Sequence, residues 1–524
     1  MTVIAVAVAA IVLRVALLWA IPVPVPRIHD EFSYLLIADT FVHGRLANPP
    51  HPMWLFFDSG NVLQHPTYAS IFPPAQGAAL ALGQLLGTPW IGVLLSMAAM
   101  CAAVTWALQG WVPARWALLG AVLVLLRVHL CSPWLESYWG GGVAALGGAL
   151  VLGAVPRLVR RPRASYAVAM GVGVALLANS RPLEGALFCV PIMVAIAAWL
   201  LSKRSPSLRI TVLRVILPLG CILGVTLWFI AYYNWRVTGN ALELPHMLYQ
   251  REYINYPVFI WQSPGLPLHY SNPQLDDLFN GWVRHTFRRS WQLEWKTCRD
   301  LWAFFLGGSL SIPLITLPWL VRDRRTRFLL IQFAFCALGL LSVYYFEPHY
   351  AAPLTATIFA LLIQAMRHLR RWEIKGRPVG IFLTRLVVLL ALARVAVLVG
   401  EAARNPATPW WSLDRARIVK ELDATLGRHL VIVHYEPDHF FDREWVYNGA
   451  DIDGSKVVWA REIPGVNPEP LLEYFKDRKV WIVNADEQPA RLQPFQKPSV
   501  PTEAAPPGEP PLKRKPEVQS PGQP

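Results

Sequence analysis

Charge is scarce in this chain: Asp, Glu, Lys and Arg make up only 16% of its residues, where soluble domains carry roughly 25%. With a mean hydropathy of +0.36, that scarcity excludes an ordinary soluble domain and points to a polytopic membrane protein. Metal-binding and redox cysteine patterns are missing too. The six cysteines (Cys101, Cys131, Cys189, Cys221, Cys298 and Cys336) form no CxxC pair and no Cys/His spacing. Most lie within apolar runs, where cysteine behaves as a small hydrophobe. A Cys131–Cys298 disulfide would require both to face an oxidising side. The first residues hold no basic stretch before the apolar run, so residues 2–20 are expected to stay as an anchor rather than be cleaved as a signal. There is no internal repeat.

What the chain has in abundance is apolar length. Runs at 2–20, 89–108, 116–131, 140–156, 164–178, 184–202, 210–233, 301–320, 327–346, 350–366 and 378–399 predict eleven spans. The 23 Trp residues suit two interfacial belts. A net charge of +14 might suggest nucleic acid, but the Lys and Arg sit in short loops between apolar runs, and no nucleic-acid partner is expected. Loops 157–163, 203–214, 322–327 and 367–377 are basic and therefore cytoplasmic. Counting from them puts the N-terminus inside and residues 21–88, 234–300 and everything after 400 outside. Residues 71–86 are apolar, but another span there would reverse that parity. They are short and open with Pro73-Pro74, so they predict a helix at the outer interface.

The expected organisation is mostly α: a transmembrane module over 1–400, with outer loops at 21–88 and 234–300. After it the pattern alternates. A helix over 413–426, strands at 429–435, 457–460 and 479–484, and a helix over 468–476 predict a small extracytoplasmic α/β domain within 405–487. It carries no Gly-rich phosphate loop and no nucleophile elbow, so its expected role is to position an acceptor or partner. Residues 488–524 are rich in Pro, Glu and Lys and predict a disordered tail.

Four polar clusters fall on the outer side. The first follows the break at Pro22–Pro26: His29-Asp30-Glu31, then Tyr34, Ala38 and Asp39. Asp30 reads equally as a helix N-cap. A cap needs only one short polar residue, however, and two acids at a helix N-terminus stay ionised and can act as a general base. The second is Ser132 to Gly142, with Glu136 as its lone acid beside Tyr138 and Trp139; its plain alternative is an aromatic interfacial loop. The third is Asn179-Ser-Arg181-Pro-Leu-Glu184, where Arg181 pairs either with Glu184 or with a phosphate. The fourth is Phe346-Glu347-Pro348-His349-Tyr350-Ala-Ala-Pro353, whose His and Tyr can donate to an anion or simply be solvated.

Arg284, Arg288 and Arg289 beside Trp282, Trp291 and Trp295 suit anionic headgroups or an acidic substrate. His29, His43, His51 and His65 with Asp39 and Asp58 raise the question of a divalent metal. Their spacing matches no compact ligand motif, and no metal or other cofactor is assigned.

Taken together, the pattern resembles the GT-C superfamily of polytopic glycosyltransferases, in the branch of protein O-mannosyltransferases and lipid A aminoarabinose transferases. The resemblance rests on the acidic pair after the first span with Tyr34 and Ala38, on Phe72-Pro73-Pro74, on Glu136 in the second outer loop, and on His349-Tyr350-Ala-Ala-Pro353. The last is similar to the branch's Arg-Tyr-x-x-Pro element, with His349 in place of Arg; Phe72 stands where His or Lys is usual.

The resemblance implies a polyprenyl-phosphate sugar donor, a hydroxyl acceptor on protein, lipid or glycan, and inverting transfer at the outer face of a bacterial cytoplasmic membrane. It implies Asp30, or failing that Glu31, as base. Arg181, His349 and Tyr350 are then expected at the donor phosphate, with Tyr34, Glu136 and Tyr138 nearby at the substrate. Two other classes stay open: a transporter or flippase of lipid-linked precursors, which should show two repeat halves, and a membrane scaffold whose outer domain recognises a partner.

Overall fold

The computed structural model describes residues 1–203, 205–254, 257–263, 265, 268, 291–404, 410–440 and 442–496, with backbone alone at 291–294 and 410. Arg284, Arg288, Arg289, Trp282 and the Trp291 side chain lie outside the described residues; Trp295 is exposed.

Each of the eleven apolar runs contains helix. Six helices are long and apolar enough to cross a membrane alone: Pro89–Trp111, Gly142–Arg160, Pro182–Leu200, Leu208–Thr238, Pro348–Leu369 and Val379–Arg404. Thr2–Ala16, Ala164–Ala178 and Arg327–Leu340 are shorter apolar helices, and Ala114–Val124 runs on into a wide turn over Leu125–His129. The run at 301–320 is not one straight rod. Trp295–Phe305 and Gly307–Arg322 meet at 89°, at Gly307, whose backbone is left-handed (φ 56°). Burial separates inner from outer helices: the apolar windows of Gly142–Arg160 and Pro348–Leu369 are 78% and 83% buried, those of Leu208–Thr238 and Val379–Arg404 only 11% and 17%. The outer pair presents Leu227, Trp228, Phe382 and Val397 on its surface, the belt that a lipid environment would cover.

Three of the four basic loops meet at one end of the bundle. Arg160 donates to Gly110 O at 3.1 Å, Trp111 stacks on Phe328 at 5.7 Å, His368 reaches Asp323 at 3.3 Å, and Trp319 lies edge-on to Trp372 at 5.5 Å.

The other end gathers the polar clusters. There α1 (Thr2–Ala16) leads through the Pro-rich break to α2 (His29–Val42), which packs on α3 (Pro74–Leu85), the expected interfacial helix. Pro74 occupies the first turn of α3, where its missing N–H costs nothing. The contact between α2 and α3 is close: a Cβ on Gly77 would collide with Ile37. A two-strand ribbon, β1 (Val62–Leu63) with β2 (Ala69–Ser70), lies beneath.

The C-terminal domain forms a four-stranded sheet of order β4-β3-β5-β6: β3 (His429–His434), β4 (Val457–Arg461), β5 (Lys479–Asn484) and β6 (Leu492–Pro494). The β3 strand runs parallel to β4 and β5, while β6 is antiparallel to β5. The expected tail therefore needs correcting: β6 pairs Val483 with Leu492, so chain beyond residue 487 belongs to the sheet. Residues 497–524 lie outside the described residues.

This domain is not a separate body. Leu36, Phe56, Phe57 and Tyr68, from residues 21–88, share one apolar core with Leu430, Val458 and Phe475 of the sheet. Residues 234–254 join the same end, with Tyr233, Val237 and Tyr249 packing on Leu63, Ala69 and Ile71.

Candidate active site

The start of α2 sets the site. Ile28, extended at φ −130°, occupies the N-cap position and has no oxygen to offer. Glu31, three residues on, reaches back instead: Oε2 accepts the Arg27 N–H at 2.5 Å and the Ile28 N–H at 3.4 Å, and Oε1 accepts the Tyr138 N–H at 3.1 Å. The capping role that Asp30 might have filled thus falls to Glu31. Glu31 is 2% exposed. Burial pushes its carboxyl up to about 7, against the pull of those N–H groups. Both oxygens are held by backbone, so Glu31 positions the helix start and the 132–141 loop.

Asp30 makes no such capping contact among the described residues. Its side chain is 27% exposed; Asn61 donates to Oδ1, and His29 Nε2 lies 3.5 Å from the same oxygen. Asn61 is itself fixed, at φ 62°, donating its N–H to Tyr249 Oη at 3.0 Å and accepting from Ser33 Oγ at 2.6 Å through its carbonyl. Burial raises the Asp30 carboxyl above its ordinary range; His29 and Arg181 oppose this, and Asp442 adds to it. A raised carboxylate is a better proton acceptor.

Arg181 ends the α7–α8 turn, α7 being Ala164–Ala178 and α8 Pro182–Leu200. Its guanidinium sits 4.4 Å over the Tyr350 ring. Burial opposes its charge, but Tyr34, Glu184 and Tyr350 outweigh that, and Arg181 holds its proton more firmly than usual. Tyr34, one turn after Asp30 and so on the same face of α2, is 3% exposed and stacks on Phe72 at 4.4 Å. Arg181, Tyr34, Tyr350, Phe72, Tyr345 and His246 line one largely apolar cavity of about 390 Å³.

A second cavity of about 650 Å³ lies on the other side of the helix start, lined by Arg27, Glu31, Glu136, Trp139 and Glu401 among apolar residues. Asp30, Glu136, Arg181 and His349, one from each of the four polar clusters, therefore gather at one end of the bundle but do not share one cavity. Arg181 lines the smaller and Glu136 the larger; Asp30 and His349 line neither. His349, 5% exposed, is in the wall between, stacked on Trp139 at 5.2 Å and edge-on to Tyr350 at 4.9 Å.

Glu136 has a strong partner of its own. Arg14, on α1 and fully buried, donates to its two oxygens at 2.9 and 2.8 Å. Tyr138, 5% exposed, donates its hydroxyl to Pro24 O at 2.8 Å. Both hold the loop against the Pro-rich break. Gly140 and Gly141 turn it with φ 91° and 124°, and a Cβ on either would press on Gln76 or Trp134.

Sequence reasoning missed Arg14, Asn61, Tyr345 and Asp442. Arg14 did carry a signal, as the only ionisable residue in residues 2–20. Among the described residues no three His, Cys, Asp or Glu side chains gather as metal ligands. His43 faces Asp39, His51 faces Asp453, and His65 packs on Trp54. The six cysteines are free.

No family model matches the chain, and no curated protein matches it. Among solved structures, ArnT from Cupriavidus metallidurans bound to undecaprenyl phosphate is similar at 12% identity over 92% of each chain, with a TM-score of 0.49. Its apo state gives 14% identity over 91% of this chain and 92% of that one, TM-score 0.47. The apo oligosaccharyltransferase of Archaeoglobus fulgidus gives 11% identity over 92% of this chain and 69% of that one, TM-score 0.49.

Proposed function

We propose that this chain is a multi-pass glycosyltransferase of the GT-C kind, moving a sugar from a polyprenyl-phosphate donor to a hydroxyl acceptor at the outer face of a bacterial cytoplasmic membrane. The observation that carries this reading is Arg181 in a largely apolar cavity, over the Tyr350 ring and beside Tyr34, which lies one turn of α2 from Asp30. The same wall holds Glu184. A guanidinium in such apolar surroundings suits a prenyl-borne phosphate. The gathering of basic loops at the opposite end supports eleven spans with this end outward.

The chemistry needs little else. Asp30 takes the proton of the acceptor hydroxyl as its oxygen attacks the anomeric carbon. The bond from that carbon to the phosphate oxygen breaks on the opposite side, and the electron pair leaves with polyprenyl phosphate. Arg181 and Tyr350 stabilise the charge that develops there. Attack opposite the leaving group inverts the anomeric centre.

The test uses purified protein in lipid nanodiscs with a panel of polyprenyl-phosphate sugars, reading release of polyprenyl phosphate. Asp30→Asn should lower turnover about 10²–10⁴-fold with undecaprenyl-phosphate binding kept, and Arg181→Ala should weaken that binding. Unchanged turnover in Asp30→Asn, or a wild-type protein that releases no prenyl phosphate from any donor, would refute the reading.

A further inference from the structure

The segment after β3 lies along α2 for the helix's whole length. Asp442 Oδ1 is 3.8 Å from His29 Nδ1 at the first residue of α2. Tyr447 stacks on Phe32 at 4.7 Å in the next turn, and Arg415 of the same domain sits 4.8 Å over that Phe32 ring. Ala450 donates its N–H to Asp39 Oδ2 at 2.6 Å near the other end, and Tyr68 donates to Asn448 O at 2.8 Å. His29, Phe32 and Asp39 thus present one side of α2 to residues 442–450.

The first of these contacts touches the chemistry. His29 is bracketed by two carboxylates, Asp30 at Nε2 and Asp442 at Nδ1. Its side chain is 12% exposed, while that of Asp442 is 50% exposed. Both contacts are at ion-pair distance, 3.5 Å to Asp30 and 3.8 Å to Asp442, and a carboxylate on each side of an imidazole favours one ring orientation over the others.

We infer that Asp442, carried by the C-terminal domain, is a positioning residue of the active site, holding His29 against Asp30 so that the domain completes the catalytic end of α2. The inference rests on the transferase reading above. It gives the domain a part in the chemical step, beyond presenting an acceptor.

The groups whose charge bears on Asp30 come from four elements: His29 and Tyr34 on α2, Arg181 before α8, Asp442 on the C-terminal domain, and Tyr345 with Glu347 ahead of Pro348. Of these, Asp442 acts to raise the Asp30 carboxyl. With Asn at 442 that push is lost, and so is the hold on His29, which pulls the other way; the rate and the His29 ring therefore report the positioning role.

The test compares wild type, Asp442→Asn and Asp442→Glu in nanodiscs. Asp442→Asn should lower kcat about ten- to a hundredfold and leave donor KM within about twofold. Asp442→Glu, at so exposed a position, should recover most of the rate. A kcat within about twofold of wild type in Asp442→Asn, or a fall that Asp442→Glu leaves in place, overturns the inference.

A second readout is independent of turnover. In protein labelled with 15N-histidine, and with His29→Asn to assign the signal, the His29 ring resonances should shift in Asp442→Asn and return in Asp442→Glu. Unmoved ring resonances overturn the inference. A wild-type protein without transfer activity but with that shift would sink the transferase reading alone.

Discussion

Breaking the Arg14–Glu136 pair should cost different amounts depending on which partner is removed. Arg14 has no exposed surface; besides Glu136 it donates to Ile21 O at 3.0 Å and Pro22 O at 3.3 Å, and it lies 4.9 Å over Trp90. A guanidinium cannot shed its proton, so Glu136→Met leaves a buried cation with two carbonyls for company. Removing one partner of a buried pair costs about 3–5 kcal/mol, and the surviving carbonyl bonds place this case near the lower end. The reverse is milder. The Glu136 side chain is 16% exposed on a cavity wall, and burial already raises its carboxyl against the pull of Arg14. After Arg14→Met it can take up a proton, and the cost should stay below about 2 kcal/mol.

The double variant should then be more stable than Glu136→Met alone, within about 1 kcal/mol of wild type, because a well-packed apolar pair often replaces a buried ion pair without loss. The assay is reversible unfolding in mixed micelles followed by tryptophan fluorescence. Equal costs for the two single variants, or a double variant as unstable as their sum, would refute the reasoning.

Two further outcomes follow from the packing around α2. Burial pushes the Asp58 carboxyl from 3.8 up to about 7, with Arg461 opposing and Glu444 adding. A raised carboxyl contributes stability that is full below 3.8 and lost as pH climbs through about 7. Asp58→Asn should therefore flatten the fall of the unfolding midpoint across that window; an identical slope would count against it. Gly77→Ala should cost about 1–3 kcal/mol by driving α3 from Ile37 and should slow transfer, with Ile37→Ala restoring both. No change in stability would show that the contact is loose.

Local patterns were legible in the sequence. The Pro-Pro start of α3, the helix at Trp410–Ala424 and the strand Lys479–Asn484 follow from turn chemistry and periodicity over neighbouring residues. The acidic pair, Arg181, Tyr34 and Tyr350 were legible as residue types, and the structure brings Arg181, Tyr34 and Tyr350 to one cavity. Hidden features depended on distance along the chain. Arg14 finds Glu136 across 122 residues and Asn61 finds Asp30 across 31, and no spacing rule reaches so far. Asp30 and Glu31 are neighbours in sequence, yet Glu31 reaches back to backbone N–H groups while Asp30 meets Asn61 and His29. The strand Leu492–Pro494 was missed because an edge strand may carry proline and polar residues.

The clamp along α2 also bears on how the protein is made. Asp39 and Ala450 are 411 residues apart, so at roughly 5–20 residues per second the helix emerges about 20–80 s before its cover. Through that interval the side of Phe32 that later meets Tyr447 and Arg415 stays uncovered by them. A ribosome that stops short of residue 442 leaves that face open for good, and such a fragment should be degraded faster than the full chain.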